Sequence, residues 1–141
     1  LLAGSGELLG EVQRKIDEEN LPIISLGWVS QVEEILAVTD LMLLTSDNEG
    51  MPLSLIQAGM AGIPSVATNV GSVSEVINNN ETGLVVNADP NLLANAILEI
   101  FNNKETYSTF SESAKRFYNY SFSLERLAKD HQENYLELLQ N

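Results

Sequence analysis

The stretch that could do chemistry is Ser46-Asp47-Asn48-Glu49-Gly50-Met51-Pro52-Leu53-Ser54-Leu55-Ile56-Gln57. Glu49 offers a carboxylate that accepts hydrogen bonds from neutral hydroxyls, which suits a sugar ring. Gly50 has no Cβ, so the backbone there can approach a bound molecule closely. If a helix opens at this point, Pro52 lacks an N–H and Met51, Leu53 and Ser54 are the available donors. A helix start also carries the positive end of a dipole, so a diphosphate can sit on it without Lys or Arg. Gln57 follows Glu49 by eight residues, about two helical turns. Its amide both donates and accepts, which suits a ribose diol.

Each signal has a plainer reading. Glu49 as an ordinary helix-N-terminal acid would stabilise by ~0.3–1 kcal/mol through the dipole. Gln57 is a common helix former and could face solvent. Asp47 and Glu49 alternate without a further ligand cluster, so no metal is expected. Gly4-Ser5-Gly6 lacks the third glycine of the dinucleotide fingerprint, and a strand-to-helix turn explains it equally well. Trp28 as a packing residue is commoner than Trp28 as a base platform. His131 falls in the helical stripe Leu124, Leu127, His131, Tyr135, Leu138, which predicts a half-buried structural histidine.

The elements that must position these residues alternate between strand and helix. Leu1-Leu2-Ala3 reads as the end of a strand, residues 6–20 as an amphipathic helix, and residues 22–26 as a second strand. Ser30 and Glu33 fit a capping box for a helix running to Val38. Leu41-Met42-Leu43-Leu44 is a continuous apolar run, predicted as a strand buried on both faces. A polar loop follows, then a helix over residues 52–62 with Pro near its first position. Residues 65–68 form a strand, 73–78 a short helix and 84–86 another strand. After Asp89-Pro90 the chain is helical, with breaks near Asn102-Asn103 and residues 119–123. Strands spaced by helices imply right-handed crossovers and a parallel sheet with helices on both faces.

Composition narrows the partners. The 141 residues are enough for one domain, and 44% are hydrophobic. Twenty acids against seven bases give a net charge of −13. Such a field repels nucleic acid and anionic lipid, so neither is expected as a partner. It also leaves an anionic ligand dependent on local donors. Arg14 and Lys15 lie on the first helix and are expected to be solvated. The absence of Cys removes disulfides, thiolate catalysis and Cys-type zinc sites. No apolar run reaches the ~18–20 residues of a membrane span. The chain opens inside an apolar run without Met, so a piece of a longer protein is expected.

The 46–57 segment resembles the donor-site signature of family 4 retaining glycosyltransferases, which have the GT-B fold. That signature has two glutamates separated by seven residues, the first followed by Gly. Here Glu49-Gly50 matches, and the second position departs as Gln57. Gly62-Ile63-Pro64-Ser65-Val66-Ala67-Thr68-Asn69-Val70-Gly71, Glu75 and Glu81-Thr82-Gly83-Leu84-Val85-Val86 continue the resemblance. Upstream, Ala3-Gly4-Ser5-Gly6 and Leu26-Gly27-Trp28-Val29 fall at the family's expected places.

The resemblance implies a three-layer Rossmann-like α/β domain with a parallel sheet, the carboxy-terminal, nucleotide-sugar-binding half of a GT-B enzyme. It would span residues 1–141, with closing helices over about 105–141. Glu49 would hold hydroxyls of the transferred sugar and be the catalytic residue. Gln57 would hold the ribose, keeping the hydrogen bonds but not the charge. Gly50, Met51 and Leu53 would meet the diphosphate or sugar, Trp28 would border the base, and Gly4 and Gly6 would belong to the donor site. The reaction would transfer a hexose to a glycan or lipid-linked acceptor in polysaccharide biosynthesis. It would need no metal or cofactor beyond the nucleotide diphosphate sugar. An amino-terminal acceptor domain and a basic loop would precede Leu1, and without them the fragment would bind donor weakly and not turn over. Placement would be cytoplasmic, at the inner membrane face through the missing half. An apolar face over residues 118–139 would be left partly bare. Two rivals stay open: a non-catalytic binding or interaction domain with a decayed site, and another nucleotide-sugar enzyme such as an epimerase.

Overall fold

The computed structural model describes residues 1–139. Gln140 and Asn141, the end of the expected closing helices, lie outside the described residues. The chain forms two compact units that divide between Ile35 and Leu36.

The first unit holds β1 (Leu2–Ala3), α1 (Leu9–Glu18), β2 (Ser25–Gly27) and the start of α2 (Val32–Leu36). β1 and β2 pair in parallel, Leu2 opposite Ser25 and Ala3 opposite Gly27. α1 buries Ile16 and leaves Arg14 and Lys15 in solvent, Lys15 within 3.8 Å of Glu19. Asn20 ends the helix at φ 50°, a left-handed conformation that Asn tolerates. The Leu21 amide then bonds back to the Ile16 carbonyl at 2.9 Å. β2 begins at Ser25 rather than Pro22, because a turn from the Ile23 amide to the Leu21 carbonyl occupies the backbone first.

The second unit holds β3 (Met42–Leu44), α3 (Leu53–Met60), β4 (Ser65–Thr68), α4 (Val73–Val76), β5 (Gly83–Val86), α5 (Pro90–Asn102), α6 (Lys104–Ser121) and α7 (Leu124–Leu139). Its strands are parallel in the order β3-β4-β5. All four residues of the central β4 are buried. Alternation along β4 sends successive side chains to opposite faces. Ala67 belongs to one core cluster with Leu55 and Ile56 of α3, Val73 and Val76 of α4, and Ala114 and Tyr118 of α6. Val66 joins Leu84, Ala96 and Ile100 of α5, and Phe110 on the other face. Each fully buried Leu, Ile or Val stabilises by about 1.5–3 kcal/mol. This is the helix–sheet–helix layering that the alternating pattern predicts.

β3 corrects one expectation. Leu43 is 43% exposed and its neighbours are half-buried. β3 ends the described three-stranded order and has β4 on one side only, so an apolar run here does not mean burial on both faces.

The helical breaks fall where caps stand. Asp89 accepts from the Asn91 and Leu92 amides at 2.8 and 3.1 Å, with Pro90 at the first helical position. Asn103 closes α5 and opens α6 by accepting from Glu105 and Thr106 at 3.0 and 3.1 Å. Such a cap contributes about 1 kcal/mol. The Ser123 hydroxyl accepts from the Arg126 amide at 3.1 Å, at the start of α7.

α7 buries none of its residues. Leu124, Leu127, Tyr135, Leu136 and Leu138 are all at least half exposed. The bare apolar face is therefore present over α7, while Tyr118 on α6 is fully buried. His131 is exposed rather than half-buried, its ring 6.1 Å from that of Tyr135. Helical spacing gives it an apolar stripe, but nothing among the described residues covers the stripe.

Candidate functional site

The loop between β3 and α3 leaves the carboxyl end of the parallel strands. Two contacts fix it there. Thr68, the last residue of β4 and 1% exposed, donates its hydroxyl to the Ser46 carbonyl at 2.6 Å. Gly71, at φ 49°, lies flat against the Glu49 carbonyl, where an added Cβ would collide with backbone. The Ser46 hydroxyl then donates to Glu49 Oε1 at 2.6 Å. Glu49 is half-buried, and among the described residues nothing donates to its second oxygen. The carboxylate therefore stands at the sheet's carboxyl edge with one oxygen tethered and the other available.

α3 opens directly beyond. Pro52 is its N-cap, extended at φ −72° and ψ 98°, and contributes no side-chain cap. The Leu55 amide finds the Pro52 carbonyl at 3.1 Å. Among the described residues nothing accepts from the amides of Leu53 and Ser54. Met51 and Leu53 are 58% and 68% exposed, so the helix start is not sealed by protein. A Cβ added at Gly50 would meet nothing within 4 Å. Gln57, one turn beyond Leu53, lies on the same exposed side of α3, while Leu55, Ile56, Ala58 and Gly59 are buried. Glu49, Gly50, Met51, Leu53 and Gln57 thus fall on one open end of the second unit. The arrangement offers two bare amides at a dipole's positive end and a tethered carboxylate beside them. Bare amides of this kind can donate to an anion, and such a carboxylate can accept from hydroxyl groups.

Gly4, Gly6 and Trp28 belong to the first unit. Gly4, at φ 139°, donates its amide to the Gly27 carbonyl at 2.7 Å just beyond the paired strands. Gly4 and Gly6 lie on a shallow, largely apolar hollow of about 360 Å³ that includes Leu2, Leu8 and Val12. Trp28 follows β2 and is 79% exposed.

Residues 1–117 match the group 1 glycosyl transferases. The chain belongs to this family. The chain is 29% identical over 120 residues to the N-acetyl-alpha-D-glucosaminyl L-malate synthase of Bacillus anthracis, covering 84% of this chain and 32% of that protein. It is 27% identical over 108 residues to the UDP-Gal:alpha-D-GlcNAc-diphosphoundecaprenol alpha-1,3-galactosyltransferase of Escherichia coli, covering 74% of this chain and 28% of that protein. The chain spans about a third of the length of the curated relatives it matches. Among solved structures, HepE of Anabaena in complex with UDP superposes with a TM-score of 0.87 at 20% identity, over 96% of this chain and 40% of that one. The chain thus has an α/β fold with parallel strands that is found as part of GT-B glycosyltransferases. No helix among the described residues is long and apolar enough to cross a membrane.

Three residues that shape this loop are not singled out by sequence reasoning. By sequence Ser46 falls in a polar loop, Thr68 ends a strand and Gly71 belongs to the resemblance, with no contact assigned to any of them. The Ser46–Glu49 spacing of three residues is visible locally. The 22-residue separation of Thr68 from Ser46 is closed only by the β3–β4 pairing.

Proposed function

We propose that this chain is the donor-binding, carboxy-terminal part of a retaining glycosyltransferase. The enzyme would transfer a hexose from a nucleotide diphosphate sugar to a glycan or lipid-linked acceptor in polysaccharide biosynthesis. The observation that carries this reading is the uncapped start of α3 beside the tethered Glu49 carboxylate. The Leu53 and Ser54 amides receive the diphosphate, which a strongly acidic chain would otherwise repel. Glu49 accepts from hydroxyls of the sugar. Gly50 leaves room for the donor against the backbone, and Met51 and Leu53 flank it. Gln57 holds the ribose. Trp28 borders the base, with Gly4 and Gly6 near the donor.

Catalysis in this reading is positioning and stabilisation of the departing diphosphate by preorganised donors, without a metal. An amino-terminal domain supplies the acceptor site and further counter-charge, at the cytoplasmic membrane face. The family match and the UDP-bound structural neighbour support a nucleotide-sugar donor. The same dependence on a second domain means that the isolated chain binds donor weakly and does not turn over.

Calorimetry of the chain with UDP- and GDP-sugars tests the reading. Saturable binding of one nucleotide-sugar class, lost in Glu49→Ala, is the expected result. Robust turnover by this chain alone, or donor binding indifferent to Glu49, would overturn it.

A further inference from the structure

We infer that Ser46 is a positioning residue for sugar recognition, acting through the carboxylate of Glu49. This deepens the donor-site reading above and rests on it. Three observations converge on the same short loop. The Ser46 hydroxyl donates to Glu49 Oε1 at 2.6 Å. The Ser46 carbonyl is held in turn by the buried Thr68 hydroxyl at 2.6 Å. The Glu49 carbonyl is pressed on Gly71 so closely that no side chain fits between them. The backbone on each side of the Ser46–Glu49 bond is therefore registered to the end of β4.

The bond sets what the carboxylate can do. A free glutamate at a loop samples several rotamers and loses that freedom when it binds. Here one oxygen is already engaged by a short O–H···O⁻ bond, a strong class of hydrogen bond. The second oxygen is thereby fixed as the acceptor for ligand hydroxyls. Ser46 touches no donor atom in this scheme. Its effect falls on the sugar, which meets Glu49, and not on the diphosphate, which meets the α3 amides.

That division gives the test. The enzyme expressed from its full reading frame is titrated with UDP-glucose, UDP-N-acetylglucosamine and GDP-mannose, and in parallel with UDP and GDP. Ser46→Ala should weaken the accepted nucleotide sugar by roughly tenfold while leaving the matching diphosphate unchanged. Ser46→Thr, which keeps the hydroxyl, should restore sugar binding. Equal weakening of sugar and diphosphate would show general damage to the loop and overturn the inference. So would Ser46→Ala with full sugar affinity, or a threonine variant that fails to rescue. If the wild-type enzyme binds none of the probes, the donor reading itself fails and the inference falls with it. If the wild type binds and the variant shows no split, the inference alone falls.

Discussion

Gly50 and Gly59 stand at opposite ends of α3 and lack a side chain for opposite reasons. A Cβ on Gly59 would strike the Tyr118 ring, which lies directly against the helix. A Cβ on Gly50 would meet nothing within 4 Å. The inner end is explained by the protein's own packing. Tyr118 is fully buried, stacked on Phe122 at 5.7 Å and met edge-on by Phe117 at 5.1 Å. The outer end has no such internal reason: Gly50 is exposed and its φ is not in the left-handed range. Empty space beside a helix start with two bare amides is room for something else. One helix thus separates a glycine that packing explains from one that packing does not, and each can be tested without disturbing the other.

The largest effect should come from the packed end. Gly59→Ala gains about 1 kcal/mol of helix propensity, but the ring it strikes is held by two aromatic neighbours and cannot swing aside. Overpacking of this kind costs about 1–3 kcal/mol, occasionally more. With the ring fixed, the cost falls at the top of that range, and the expected net loss is about 2 kcal/mol by urea unfolding. An unchanged midpoint would show that α3 and α6 are not locked here. At the open end, Gly50→Ala should leave the unfolding midpoint unchanged and weaken the nucleotide sugar about tenfold, a loss of ~1.4 kcal/mol. Full donor affinity in that variant would break the comparison, because Gly50 would then have no task at either level.

Legibility in the sequence follows the same division between local and distant causes. Asp89-Pro90 and Asn103 announce helix starts because their own side chains satisfy the first amides, a property of two or three adjacent residues. The 46–57 segment is legible for the same reason: strand end, polar loop, Pro and helix follow one another. Thr68 and Gly71 are not legible, since their contacts with Ser46 and Glu49 exist only once β3 lies beside β4. Burial fails for a related reason. The apolar run of β3 and the stripe on α7 give a period but not a cover, and Leu43 and His131 are exposed.

Gln57 sharpens the open end further. It is exposed on α3, one turn beyond Leu53, so Gln57→Glu should shift stability by less than about 0.5 kcal/mol. A hydrogen bond to a charged group contributes roughly 0.5–1.5 kcal/mol more than a neutral one. If Gln57 holds the ribose, the variant should bind UDP or GDP about fivefold more tightly (~1 kcal/mol) and show no gain with the dideoxyribose analogue. A gain on both ligands, or on neither, would remove the ribose from this position.

The smallest effect at neutral pH lies at the packed end, on the Tyr118 phenol. Its Oη is buried and, among the described residues, meets no partner in hydrogen-bond geometry. Burial pushes its pKa above the ordinary phenol value, an effect the Thr82 hydroxyl offsets in part. Below about pH 10 folded and unfolded chains both keep this proton, and it adds no pH dependence. Above that, the unfolded chain releases the proton first, so stability falls as pH climbs towards the folded pKa. Tyr118→Phe keeps the ring against Gly59 and should change neutral stability by less than about 1 kcal/mol. It should also make the alkaline loss shallower without abolishing it. Tyr107 is raised as well, by burial and then by the charge of Asp40, and contributes separately. Urea midpoints of wild type and variant between neutral and strongly alkaline pH measure the difference. Parallel curves would mean that the ionised phenol reaches solvent, and that the inner end of α3 is looser than its packed glycine implies.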